Sequence, residues 1–262
     1  MDLAIEEMSL SGWPALQTEV YDGWLLRFAE GWTKRSNSVN PLYASTIELG
    51  GKIRDCEKAY ASRGLPTVFK ILGSEAHEEL DAALAERGYA RIDETAVRTL
   101  DLSELRGSAG AAAPGRAFEA PGDGAASAAV GLSERFEDAW VDAFCACSRS
   151  EARRGTIGRI LAKVSVDKLV AAASAGGGIL GCGYGALERD WVGLFDIVVR
   201  EEERRKGHGE RIVRAILGGA AAKGARKSYL QVVSGNAPAE RLYSRLGFSE
   251  AYRYWYRRKD SS

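Results

Sequence analysis

The sequence predicts an α/β fold of mixed α+β character, a mixed sheet with helices laid against it, in a chain that repeats one plan twice. Three observations carry this expectation. Strand-like apolar runs alternate with helix-spaced segments through most of the 262 residues. The stretch "RGSAGAAAPGRAFEAPGDGAAS", residues 106–127, is nearly free of bulky apolar side chains and splits the chain into halves of similar size. Glycine punctuation also repeats: Gly64 and Gly224 each precede a strand, and Gly88 of "AERGY" and Gly247 of "SRLGF" each follow a helix, at nearly one offset. The expected domains are therefore 1–105, a linker over 106–127 with at most one short strand, and 128–262.

In the first half, "YDGWLLRFA" and "TKRSNSVNPLY" read as a hairpin and "KIRDCEKAYASRG" as a helix. "PTVFKIL" follows as a strand, "EELDAALAERG" as a helix and "YARIDETAVRTLDL" as one or two strands. The second half opens with a short strand, "VGLSE", and a helix, "RFEDAWVDAFCACS", with Phe136, Trp140 and Phe144 at helical spacing. After the short helix "TIGRILAKV", "KLVAAAS" and "ILGCGYGALE" form a hairpin through Ala175-Gly176-Gly177-Gly178. "WVGLFDIVV" is an apolar strand, and the helix after Gly209 places Ile212, Val213, Ile216, Leu217 and Ala220 on one stripe. "SYLQVV" is a strand, "PAERLYSRLG" a helix with Pro238 near its start, and "AYRYWYRRK" a closing strand.

Lys plus Arg equals Asp plus Glu at 36 each, so no global field recruits nucleic acid or an anionic membrane. The first residues are acidic where a signal peptide is basic, and no apolar run is long enough to span a bilayer. A cytoplasmic protein, monomeric or homodimeric, is expected. Four scattered cysteines make no disulfide framework, and two histidines make a metal site improbable.

The chemistry concentrates in "VVREEERRKGHGERIVRA", 198–215. A strand ending at Val199, a basic loop with Gly207 and Gly209, and then a helix leave unpaired backbone N–H groups at a positive dipole end, which attracts phosphate. Arg204, Arg205 and Lys206 add charge around them. The stretch lacks the Gly-Lys-Ser/Thr of a P-loop and the third glycine of a dinucleotide fingerprint. A solvated charged turn is the plain alternative.

Further on, "VVSGNAPAERLYSRLGF", 232–248, follows the next strand. Together the two stretches resemble the GNAT acetyltransferase superfamily over residues 128–258. Its loop pattern Arg/Gln-x-x-Gly-x-Gly/Ala is met by Arg204, Gly207 and Gly209, and Asn-x-x-Ala-x-x-x-Tyr-x-x-x-Gly-Phe by Asn236, Ala239, Tyr243, Gly247 and Phe248. The resemblance implies a GNAT fold whose central sheet splays where acetyl-CoA binds, and an N-acetyltransferase acting on a primary amine of a small molecule or peptide by direct attack. Ile197, Val198 and Val199 would bind the cofactor through their backbone. Arg204, Arg205, Lys206, Gly207, His208, Gly209 and Glu210 would surround the pyrophosphate, Asn236 would meet the pantetheine arm, and Tyr243 would sit near the sulfur.

Amine attack on a thioester needs a proton acceptor for the amine and a donor for the departing thiolate. Tyr243 is the expected acid; otherwise it fills core space between Leu242 and Leu246. Asp196, the lone acid in an apolar strand, is the expected base, unless it faces solvent or pairs with an arginine. Where some relatives carry a glutamate, this chain has Gln231, so a water-relayed transfer is also open. The His208 side chain is expected to face solvent, "GCGYG" (181–185) to mark a bulge or close approach, and Cys182 to be a buried small hydrophobe.

The first half resembles a degenerate GNAT-like unit: "NPLYASTIELGGKI" carries two glycines and no basic cluster, so one acetyl-CoA per chain is expected. Tandem arrangements occur in the superfamily, and the polar hairpin 30–41 would then wall the acceptor site through Trp32, Asn37 and Asn40. A non-catalytic acyl-CoA sensor or scaffold, and an aminoacyl or peptidyl transferase, are the alternative functions.

Overall fold

Asp22 and Gly23 both take positive φ, 45° and 83°, the left-handed pair that a two-residue hairpin turn demands. They join β1 (Gln17–Tyr21) to β2 (Trp24–Phe28), and β2 in turn pairs antiparallel with β3 (Val39–Pro41). Helix α2 (Leu49–Ala61), β4 (Thr67–Leu72), α3 (Glu78–Glu86) and one long strand, β5 (Ala90–Asp101), complete the first half. This computed structural model describes residues 2–103 and 129–260, and the expected linker lies outside them.

The second half follows the expected order: β6 (Ala129–Ser133), α4 (Asp138–Ser148), α5 (Arg154–Ala162), β7 (Asp167–Ala175), β8 (Gly178–Glu188) and β9 (Trp191–Val199). Helix α6 (His208–Ala222), β10 (Lys227–Val233), α7 (Ala237–Arg245) and β11 (Ser249–Lys259) follow. The stripe foreseen on α6 is the one that packs: Ile212, Val213, Ile216, Leu217 and Ala220 are all buried against the sheet. Each large one removed from water contributes about 1.5–3 kcal/mol.

The eleven strands among the described residues join one sheet, in the order β1-β2-β3-β4-β11-β5-β10-β9-β8-β7-β6. Two parallel pairs, β3 with β4 and β9 with β10, occupy equivalent places in the two halves. The closing strands are exchanged between them. β5 of the first half pairs with β10, and β11 of the second pairs with β4, while β5 and β11 lie side by side at the middle.

Two elements escaped the sequence reading: β1 (Gln17–Tyr21), because the expected hairpin is the one that β2 and β3 form, and α1 (Asp2–Gly12). Its buried face mixes Ile5 and Met8 with Glu6 and Ser9, so no apolar stripe announces it. Glu6 is buried because it has partners: it pairs with Lys70 of β4 and accepts a bond of 2.7 Å from the Tyr252 hydroxyl of β11. At its far end α1 reaches the second half, where the Tyr184 hydroxyl donates to the Gly12 carbonyl at 2.6 Å.

Candidate active site

Strands β9 and β10 run in parallel register only from Trp191 with Lys227 to Leu194 with Leu230. Beyond that, Gln231, Val232 and Val233 keep their pairing with β5 on the other side, and β9 turns away. The cause is local. Asp196 adopts φ 53°, and the β8–β9 register slips between Tyr184/Phe195 and Cys182/Val198, so β9 bulges there. The glycines of "GCGYG" make room for it: a Cβ on Gly183 would stand 2.4 Å from Ile197 Cδ1 and 3.2 Å from its Cα. Ile197, Val198 and Val199 therefore line a gap with their β10-facing edge unpaired by that strand.

The gap opens toward the head of α6. Its cap residue is Gly207 at φ 81°, with no side chain bonded across the helix end, and the first backbone bond is made by the Arg211 N–H to the Gly207 carbonyl. The amides of His208, Gly209 and Glu210 are thus the unpaired first-turn donors. A Cβ at Gly207 would meet nothing within 4 Å, so the cap residue itself is uncovered on that side. Arg204 and Arg205 are exposed beside it. Lys206 is tied to Glu203 at 3.0 Å, and the Glu210 carboxylate is shared by Arg214 and Arg245.

His208 corrects an expectation, because its side chain is buried instead of facing solvent. Its Nδ1 accepts from Arg211 at 2.8 Å, which leaves Nε2 to donate to Glu203 at 3.2 Å. The acidic run ahead of the loop supplies that acceptor, and the ring braces the loop from beneath.

Asn236 caps α7, its Oδ1 accepting from the Ala239 amide at 3.3 Å. One turn further Tyr243 is 8% exposed and packs edge-on against Phe248. Burial, with the nearby Asp196 charge, pushes its hydroxyl up to about 12, so it is protonated at neutral pH. The hydroxyl makes no hydrogen bond among the described residues. Gln231 donates to Ser9 at 2.9 Å and accepts from Tyr254 at 2.9 Å. Burial pushes the Cys182 thiol well up, as suits an inert core cysteine.

Two expected acceptor-site residues turn inward. Asn37 accepts from the Ala29 and Gly31 amides at 2.7 and 3.0 Å and donates to the Trp32 and Thr33 carbonyls at 2.7 and 2.9 Å, which spends its whole amide on its own loop. Asn40 is buried and donates to Ser38. Trp32 is partly buried against the central core, with its indole N–H buried and unbonded. What that loop does send across is Arg35, which meets Asp196 at 2.7 Å. The basic pair Lys34-Arg35 was visible in the sequence, but nothing local tied it to a residue 161 positions away.

The head of α2, the counterpart of α6, is already occupied. Glu48 folds its carboxylate onto the Gly50 and Gly51 amides at 2.6 and 2.7 Å, and these bonds hold it below the usual carboxylate range. A resident carboxylate stands where an anion would.

Comparison with known proteins agrees with this geometry. A family model described as "Probable histone acetyltransferase Rv0428c C-terminal" matches residues 3–257. The chain is 28% identical over 256 residues to an uncharacterized N-acetyltransferase, YobR, of Bacillus subtilis (strain 168), covering 97% of each. Among solved structures, a GCN5-related N-acetyltransferase from Kribbella flavida aligns with TM-score 0.66 at 15% identity, over 99% of this chain and 96% of that one. A tandem GNAT protein from the clavulanic acid biosynthesis pathway aligns with TM-score 0.62 at 14% identity, over 86% and 75%. The splayed parallel pair, the uncapped helix behind it and a match across almost the whole chain lead to one assignment: the chain belongs to the Rv0428c C-terminal acetyltransferase family, on a fold shared with GCN5-related N-acetyltransferases.

Proposed function

We propose that the chain moves an acetyl group from acetyl-CoA to a primary amine of a small molecule or peptide by direct attack. The observation that carries this is the union of the β9–β10 gap with the open head of α6. The residues fit the cofactor: the first-turn amides and Arg204 and Arg205 suit its pyrophosphate, the edge of Ile197–Val199 that β10 leaves unpaired suits its amide-bearing arm, and Asn236 stands at the adjoining helix start. Acetyl-CoA, when bound, supplies the activated acetyl group.

The chain's own residues then manage protons. Tyr243, kept protonated by burial, donates to the departing sulfur. Asp196, at the bulge, receives the proton that the acceptor amine gives up, directly or through one water. The division into 1–105 and 128–262 fits one duplicated unit per half, and Glu48 supports a single cofactor per chain.

The test is to mix the protein with acetyl-CoA and a panel of amines and follow free thiol. Thiol release that depends on the amine, and that drops when Tyr243 becomes Phe, supports the reading. Tight cofactor binding with no release for any acceptor would instead support a sensor or scaffold, and failure to bind acetyl-CoA would revive a transferase with a large donor.

A further inference from the structure

Asp196 is split between two environments. One carboxylate oxygen accepts from Arg35 at 2.7 Å, while the other, Oδ2, is buried with no hydrogen-bond donor. Its side chain is only 7% exposed. A buried carboxylate oxygen without a donor is costly, and a ligand N–H would supply the one that Oδ2 lacks. The strained backbone of Asp196, φ 53°, adds to this pattern.

Arg35 is held in place independently of Asp196. Its guanidinium lies 4.5 Å from the centre of the Trp13 ring, and its own carbonyl accepts from the buried guanidinium of Arg27, which also grips the Trp13 carbonyl. Asn37, two residues on, fastens the loop through four bonds. Burial alone would lower the Arg35 guanidinium, and the facing Asp196 charge raises it instead. The first half is thus built to deliver one fixed cation to the bulge of the second.

We propose that Arg35 is a positioning residue of the transferase centre: it clamps one oxygen of Asp196 so that Oδ2 is presented to the N–H of the acceptor amine. This rests on the acetyltransferase reading above. It assigns the first half a part in the chemistry through Arg35, by a residue that touches neither cofactor nor acceptor.

A double-mutant cycle on the full chain tests it, using acetyl-CoA and the amine that the unmodified protein turns over fastest. Arg35→Gln is expected to lower kcat by about 10–100-fold, less than the roughly 100- to 10,000-fold worth of the proton acceptor itself, because the carboxylate stays and only its alignment is lost. Affinity for acetyl-CoA should stay within about twofold, since no cofactor contact is removed. The pair Arg35→Gln plus Asp196→Asn should be no slower than Asp196→Asn alone, and Arg35→Lys should recover part of the rate. Losses that multiply, an Arg35→Gln enzyme at the original kcat, or a Lys variant as slow as Gln would overturn the proposal while leaving the acetyltransferase reading intact. Should Arg35→Gln lose its cooperative melt, the cycle is run with Arg35→Lys, whose penalty must likewise vanish in the Asp196→Asn background. If the unmodified protein releases no thiol with any amine, the acetyltransferase reading itself fails and takes this one with it.

Discussion

Replacing Gly207 with Val separates the cost of strain from the loss of a ligand site. Gly207 sits at φ 81°, where a side chain costs roughly 1–2 kcal/mol and a β-branched one at least that. A Cβ there meets no protein atom within 4 Å, so folding should suffer the backbone term and no clash. The same substitution puts a side chain on the cap residue that directly precedes the amides of His208, Gly209 and Glu210. Denying a phosphate oxygen even one charge-assisted bond costs about 1.5–3 kcal/mol, which is roughly 10- to 150-fold in affinity. Gly224→Val is the matched control, since Gly224 lies just past the other end of the same helix, at φ 97° and also with nothing within 4 Å. Calorimetric titration with coenzyme A, alongside melting curves, reads both effects. Both variants should melt earlier by similar amounts, and only Gly207→Val should bind weakly. Equal affinity in the two variants would refute the assignment of the α6 head as the pyrophosphate cradle.

Tyr243→Phe should lower kcat by about 100-fold or more, the usual worth of a positioned acid, and leave coenzyme A affinity unchanged; the thiol-release assay checks it. Because the Tyr243 hydroxyl is raised to about 12 in the folded chain, the native state keeps a proton that the unfolded chain loses near pH 10. Stability should therefore fall as pH rises from about 10 toward 12, and urea midpoints across that window should decline less steeply in Tyr243→Phe. His77 behaves oppositely: burial lowers it while Nδ1 accepts from the Leu72 amide, so its contribution is present above about pH 6.5 and shrinks as pH falls below it. Urea midpoints between pH 7 and pH 5 should show that drop, which a midpoint independent of pH would contradict. Glu48→Ala should cost about 0.5–2 kcal/mol through the lost cap of α2, with coenzyme A still binding at one equivalent because no basic cluster precedes that helix.

Much of this was legible in the residues because it is local. The stripe from Ile212 to Ala220, the Gly176-Gly177 hairpin and the strand-loop-helix around Gly207 follow from spacing and backbone freedom alone. Other features depend on distant partners. The Arg35–Asp196 bond, the burial of His208 under Glu203 and the pairing of β5 with β10 join segments whose proximity no local pattern encodes. Helix α1 was hidden for the same reason, since Glu6 reads as a surface acid until Lys70 and Tyr252 are beside it. Asn37 and Asn40 show the reverse error: polar residues in a turn-rich stretch suggested a binding wall, whereas their amides serve the backbone of that loop.

The central claim is that one helix end, the head of α6, holds the diphosphate of coenzyme A. Calorimetric titration of the full chain with coenzyme A at two ionic strengths addresses it most directly. The account requires one equivalent bound per chain, with an affinity that weakens at higher salt as Arg204 and Arg205 are screened. Absence of binding heat at either ionic strength, or two equivalents per chain, would contradict it.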